Sequence, residues 1–143
     1  MIMDDHVVSD VMTRQVVYLP AETTIDEAAR AMRDRDIGDV VVTEGPTLAG
    51  VVTDRDIVVR AIADRRDPRS TPIGTITSRD MVMIQQDMST GEAAAMMRDR
   101  AVRRLLVCDQ DRQLVGIVTI GDLAVELDRE SALGEISAAP PNN

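Results

Sequence analysis

Glu27-Ala28-Ala29-Arg30-Ala31-Met32-Arg33-Asp34-Arg35 and Glu92-Ala93-Ala94-Ala95-Met96-Met97-Arg98-Asp99-Arg100 are near-copies of one stretch, about 65 residues apart. With one extra residue in the intervening turn, Gly50-Val51-Val52-Thr53 falls on Gly116-Ile117-Val118-Thr119. The chain is an internal duplication, so reading one copy gives the fold of both.

Each copy reads as strand, helix, strand, strand, helix. In the first, Val16-Val17-Tyr18-Leu19 is a short β-rich run, and Thr24-Ile25-Asp26-Glu27 has the spacing of a capping box that starts a helix. Ser89 and Glu92 repeat the device. Apolar residues then recur at helical spacing, as Ile25, Ala28, Ala29 and Met32 in one copy and Ala93, Ala94 and Met97 in the other, so each helix is expected to bury one stripe. Val40-Val41-Val42 and Leu48 through Val52 flank a turn at Glu44-Gly45-Pro46 and predict a hairpin. Leu105-Leu106-Val107 and Leu114 through Val118 do the same around Asp109-Gln110-Asp111. A second helix is predicted from near Asp56 through Ile62, and its counterpart from near Asp122 through Leu127.

The resulting division is a tail at 1–6, a first repeat at 7–64, a linker at 65–72, a second repeat at 73–128 and a C-terminal tail at 129–143. The linker region is charged, holds Pro68 and Pro72 and lacks periodicity. Its Arg65, Arg66 and Arg69 read as a solvated loop, the alternative being a rim that attracts an anion. The final Ser137-Ala138-Ala139-Pro140-Pro141-Asn142-Asn143 has the composition of a disordered tail.

Composition removes several classes of function. A chain of 143 residues with 44% hydrophobic and 29% charged residues can bury a core, as one compact domain or two small subdomains. Trp and Phe are absent and Tyr18 is the single aromatic, so that core is aliphatic and base-stacking platforms are missing. A formal charge of −9 argues against nucleic acid, whose binding rests on many Lys and Arg contacts that release counterions. No run approaches the roughly 20 apolar residues of a membrane span, and the start Met1-Ile2-Met3-Asp4-Asp5 lacks a basic n-region, so a cytoplasmic protein is expected. One Cys and one His cannot build a zinc cluster, a disulfide framework or a Cys/His catalytic pair. Cys108, in an apolar run, reads as a buried structural thiol, and His6 as a surface residue.

Catalytic patterns are missing too. There is no Gly-rich phosphate loop, GxSxG elbow or HExxH, and a carboxylate pair could be chosen only arbitrarily, so no catalytic residue is assigned and no metal is expected. What recurs is Gly-Val-Val-Thr53-Asp54-Arg55-Asp56 and Gly-Ile-Val-Thr119-Ile120-Gly121-Asp122, a strand ending in Thr with Asp three residues on. Such a Thr caps the following helix, worth about 0.5–2 kcal/mol, and needs no ligand to do so. The same helix start offers unpaired N–H groups to a phosphate, while a carboxylate can accept both hydrogen bonds of a ribose diol.

From Val7 to Leu127 the sequence resembles a tandem cystathionine-β-synthase (CBS) domain pair, also called a Bateman module. The pattern is met twice: a Met-Thr-like start (Val11-Met12-Thr13; Ile76-Thr77-Ser78), a helix with Glu-Ala-Ala and Met, a hydrophobic hairpin, and the closing Gly-φ-φ-Thr-x-x-Asp, with φ apolar. The resemblance implies an α/β (α+β) fold of two pseudo-symmetric β-α-β-β-α repeats packed through their sheets, with two clefts that take AMP, ADP, ATP, S-adenosylmethionine or related ligands. Carried over, Thr53 and Asp56 hold phosphate and ribose in one cleft, with Val82 and Met83 against the adenine. Thr119 and Asp122 serve the other, with Val17 and Tyr18 against the base. Arg103 and Arg104 resemble the basic pair that meets phosphate in the γ subunit of AMP-activated kinase, whereas the first repeat has Gly38-Asp39 there. An arginine fork binds phosphate and an aspartate repels it, so the clefts are expected to be unequal, with the Asp56 cleft favoured and Arg103 or Arg104 reaching across to it.

The implied function is a non-catalytic regulatory module that senses an adenine nucleotide, requires no cofactor, forms a homodimer through its helices and acts on an unidentified protein partner. The competing reading is an interaction adaptor with vestigial clefts.

Overall fold

In the computed structural model, residues 6–126 are described. The Met1–Asp5 start, Leu127 and the expected C-terminal tail lie outside them. The fold is mixed α/β, with two three-stranded sheets and four helices.

The chain divides into two compact units, one made of Val16–Met81 and the other of Met1–Gln15 with Val82–Asn143. In the Val16–Met81 unit, β1 (Tyr18–Pro20) runs into α1 (Ile25–Arg35), which returns to a parallel neighbour, β2 (Asp39–Glu44). Gly45 and Pro46 turn the chain into the antiparallel β3 (Thr47–Thr53), with Gly45 at φ +60, the left-handed region that glycine tolerates. The strand order is β1-β2-β3. α2 follows at once, as an α-helical turn at Asp54–Asp56 that widens into a π-helical stretch at Ile57–Ile62. It begins just after Thr53, two residues before the expected start.

The other unit repeats this with β4 (Met83–Gln85), α3 (Thr90–Arg100), β5 (Arg104–Cys108), β6 (Leu114–Thr119) and α4 (120–126), again with a parallel first pair and an antiparallel second. Both hairpins carry an irregularity at the same place, between Val42 and Thr43 and between Val107 and Cys108.

Helix starts follow the capping chemistry read from sequence. Glu92 N–H donates to Ser89 Oγ at 3.1 Å. At α1 the Thr24 N–H donates to Glu27 Oε1 at 3.4 Å, while the Thr24 hydroxyl donates to Asp26 and Glu27 carboxylate oxygens, both at 2.6 Å. That hydroxyl is the main reason the Asp26 carboxyl is held below its ordinary value. α1 buries Ile25, Ala28 and Met32 but leaves Ala29 exposed, because Ala29 lies about 100° around the helix from Ala28.

The 65–72 linker is more ordered than its composition suggests. Ile25 N–H donates to the Thr71 carbonyl at 3.0 Å and Asp26 N–H to that of Pro68 at 2.9 Å, so the linker satisfies first-turn donors that a helix cannot pair itself. Arg65, Arg66 and Arg69 are exposed, as a solvated loop requires.

Each unit takes an extended segment from outside its hairpin. In the Val16–Met81 unit, Ser78 bridges Val51 on the free edge of β3, with N–H to O distances of 3.0 Å in both directions. In the other, Thr13 bridges Ile117 on β6 at 2.8 and 3.0 Å. The segment holding Val8 and Met12 thus plugs a core built from Ile84, Ala93, Met97, Leu105, Val107, Val118 and Leu123. Ile73 and Ile76 do the same for Val17, Ile25, Ala28, Val40, Val42 and Val52. Both cores are aliphatic, and Cys108 is buried beside Ile84. Among the described residues no helix is long and apolar enough to cross a membrane.

Candidate functional site

The two Thr-x-x-Asp motifs have the same geometry. Thr53 N–H donates to Asp56 Oδ2 at 2.9 Å, and Asp56 N–H donates to Thr53 Oγ1 at 3.0 Å. For Thr119 and Asp122 the distances are 2.9 and 3.1 Å. Each motif is a closed capping box at the last residue of a strand, which fixes the aspartate against the helix start without any ligand. One carboxylate oxygen of each Asp accepts this bond. In the first motif the other, Asp56 Oδ1, lies 3.8 Å from Arg60 Nε.

Strand direction decides what lies near each motif. Because β3 and β6 run antiparallel to their sheet neighbours, their ends meet the beginnings of β2 and β5. Thr53 is therefore the register partner of Asp39, and Asp54 N–H donates to the Gly38 carbonyl at 3.0 Å. Thr119 is the register partner of Arg104, and Ile120 N–H donates to the Arg103 carbonyl at 2.8 Å. One sheet end joins its Thr and Asp to two arginines, and the other joins them to Gly38, Asp39 and Asp54. Arg103 is exposed and Arg104 half-buried.

The first-strand residues sort in the same way. Tyr18 and Met83 are the first residues of β1 and β4 and remain 46% and 44% exposed. Val17 is buried with the first core, and Val82 packs against the second. Val17 and Tyr18 share a unit with Thr53 and Asp56, while Val82, Met83, Arg103 and Arg104 share one with Thr119 and Asp122.

The family model described as "CBS domain" matches twice, at residues 8–62 and 73–129. The chain belongs to the CBS-domain family. The CBS domain-containing protein YhcV of Bacillus subtilis is 41% identical over 126 residues, covering 87% of this chain and 89% of that protein. Hypoxic response protein 1 of Mycobacterium tuberculosis is 32% identical over 130 residues, 90% of each chain. A solved structure of a conserved protein from Pyrococcus horikoshii superposes with a TM-score of 0.75 at 25% identity, covering 88% of this chain and 94% of its own. A tandem CBS pair points to a regulatory rather than a catalytic module.

In the CBS unit that holds Asp122, a pocket of about 280 Å³ is lined by Asp10, Val11, Asp122, Val125 and Glu126. Four of these, Asp10, Val11, Val125 and Glu126, are not among the candidate site residues read from sequence. The duplication hides Glu126, which stands where the first CBS repeat has Arg60. Glu126 is only 6% exposed, and His6 Nδ1 lies 3.2 Å from its Oε1. The half-exposed His6 is thus tied to a buried carboxylate. Among the described residues no three His, Cys, Asp or Glu side chains come together to hold a metal.

Proposed function

We propose that this CBS pair is a ligand-sensing regulatory module for an adenine nucleotide, held at the strand ends marked by Thr53–Asp56 and Thr119–Asp122. The observation that carries the reading is the meeting of Arg103, Arg104, Thr119 and Asp122 at one sheet end. Guanidinium groups supply bidentate phosphate contacts, and a carboxylate already oriented by the capping box suits a ribose diol. The in-sheet neighbours of the arginines are Thr119 and Ile120, so this reading assigns the phosphate arm to the Asp122 end rather than to Asp56. The Thr53 end sets Asp39 and Asp54 where phosphate would come, and is the weaker site. In the unit that holds Asp122, exposed Met83 and half-buried Val82 offer adenine an aliphatic surface, and in the other unit exposed Tyr18 offers a phenolic one. The nucleotide acts by favouring one arrangement of the protein over another, and its effect on a partner is bounded by that difference in affinity.

Calorimetric titration of AMP and adenosine into wild type and Arg103→Ala tests the phosphate arm. AMP is expected to bind the wild type at least tenfold more tightly than adenosine, as a charge-assisted hydrogen bond of about 1.5–3 kcal/mol requires, and Arg103→Ala to erase most of that gap. Equal binding of AMP and adenosine by the wild type would contradict the assignment.

A second reading, an interaction adaptor, draws support from α2, where Val58, Val59 and Ile62 stand 59%, 46% and 53% exposed on one short helix. Apolar side chains grouped in this way favour association with another surface, a second copy of the chain included. Homodimerisation is compatible with both readings, and only the sensor predicts a response to nucleotide.

A further inference from the structure

The segment before β1 belongs to the unit built from Val82 onward. It is attached along its length. Thr90 N–H donates to the His6 carbonyl at 3.0 Å, Val8 N–H to that of Met88 at 2.9 Å, and Ser9 N–H to that of Gln86 at 3.1 Å. The Thr13 bridge to Ile117 closes its far end. Val8 and Met12 sit in the core, while Asp10 and Val11 form part of the Asp122 pocket. The segment is therefore a strap: about 65 residues of chain separate it from the rest of its unit, yet it supplies part of that unit's core and part of the wall of a pocket.

A polar contact ties the strap to α4. His6 Nδ1 meets Glu126 Oε1 at 3.2 Å, with the carboxylate side chain 8% exposed and the imidazole 44%. A carboxylate held out of water needs a partner, and the His6 imidazole on the strap supplies one to Glu126. The equivalent contact in the other unit differs in kind. There Arg60, at the position of Glu126, reaches the Ile76 carbonyl at 3.4 Å and lies 3.8 Å from Asp56 Oδ1, so that position carries a half-exposed cation instead of a buried carboxylate.

Three acidic groups share the pocket beside the pair. Asp10, on the strap, accepts from Val7 N–H at 3.2 Å, and Asp122 and Glu126 stand on α4 around the same pocket. On the side of β4 and α3 the strap meets Gln86, Met88, Ser89 and Thr90, which are neutral, next to the exposed Asp87. His6 thus stands beside three carboxylates, Asp10, Asp122 and Glu126, while Arg14 at the far end of the strap donates to the Ser9 carbonyl at 3.0 Å.

We propose that the N-terminal strap is a latch, closed by the His6–Glu126 contact, and that closing it completes the wall of the Asp122 pocket. The latch is a property of the chain whatever the pocket binds. Its control of nucleotide binding rests on the function proposed above. A nucleotide that uses Asp122 then binds the latched state better, and by linkage its presence tightens the strap.

Hydrogen exchange on the full-length protein tests the latch without any ligand. His6→Ala and Glu126→Gln are each expected to speed exchange at the amides of Val8, Ser9, Met12 and Thr13 at least tenfold, leaving those of Val41 and Val51 in the other unit unchanged. Unchanged strap exchange in both variants overturns the latch. Equal acceleration across β5 and β6 overturns it as well, because the pair would then be holding the whole unit together rather than the strap. For the pocket, AMP is the probe: His6→Ala is expected to weaken its binding at least threefold. Unaltered affinity with a loosened strap overturns control of the pocket. A wild type that binds no AMP overturns the nucleotide reading and the control of binding with it, while exchange still decides the latch.

Discussion

Gly50→Ala is expected to destabilise the Val16–Met81 unit by about 3–5 kcal/mol, the sum of overpacking against backbone and two disturbed bridge hydrogen bonds. A Cβ at Gly50 would overlap the Ser78 carbonyl oxygen and stand 2.5 Å from Thr77 Cγ2. Neither can yield cheaply, since Ser78 is fixed by its two bonds to Val51. The glycine of the Gly-φ-φ-Thr pattern thus has a structural task, to let an extended segment cross the edge of β3. Gly116→Ala makes the same intrusion more mildly. Its Cβ would meet Met12 Sδ at 2.5 Å, where a flexible side chain can swing away, and the Thr13 carbonyl oxygen at 2.9 Å. A loss of about 1–3 kcal/mol is expected there. Urea denaturation of both variants checks the order, and a Gly116 variant less stable than the Gly50 variant would contradict the packing described.

Asp122→Ala is expected to weaken AMP binding about 10–100-fold, the equivalent of about 1.5–3 kcal/mol for lost charge-assisted hydrogen bonds. Asp56→Ala should weaken it much less, because the sheet end around Asp56 lacks the arginine pair and carries Asp39 and Asp54. Both substitutions also remove the bond from the Thr N–H, so each costs about 0.5–2 kcal/mol of stability whether or not a nucleotide is bound. Affinity must therefore be measured by calorimetry below the unfolding range, with urea melts run in parallel. Variants that both lose stability and both keep full AMP affinity would reduce the motif to a helix cap.

The elements of this fold were legible because each rests on local chemistry. Ser89 with Glu92 starts α3, Gly45 permits the hairpin turn, and two matching copies confirmed each other's boundaries. What local chemistry could not reveal was partnership at a distance. Nothing in Val7 through Thr13 says that its edge partner is Ile117, because an extended run of backbone donors and acceptors fits any open strand edge. The register that puts Arg104 opposite Thr119 is implicit in the hairpin and becomes explicit only once its two strands are paired. Glu126 escaped notice for a different reason: a lone acidic residue near a helix end reads as solvated, and only the fold reveals that it is buried against His6. Val17, just before β1, packs in the first core, a placement that its apolar run alone does not distinguish from an exposed one.

The central claim, that this CBS pair senses an adenine nucleotide, is tested most directly by a thermal-shift series with AMP, ADP, ATP, S-adenosylmethionine, NAD and GTP. With ligand about a hundredfold above Kd, linkage gives about 2.7 kcal/mol of added stability. For a chain of this size that corresponds to a rise of roughly 5–10 °C. The account predicts such a rise with at least one adenine nucleotide and none with GTP. A melting temperature unmoved by all six would contradict it and leave the adaptor reading in its place.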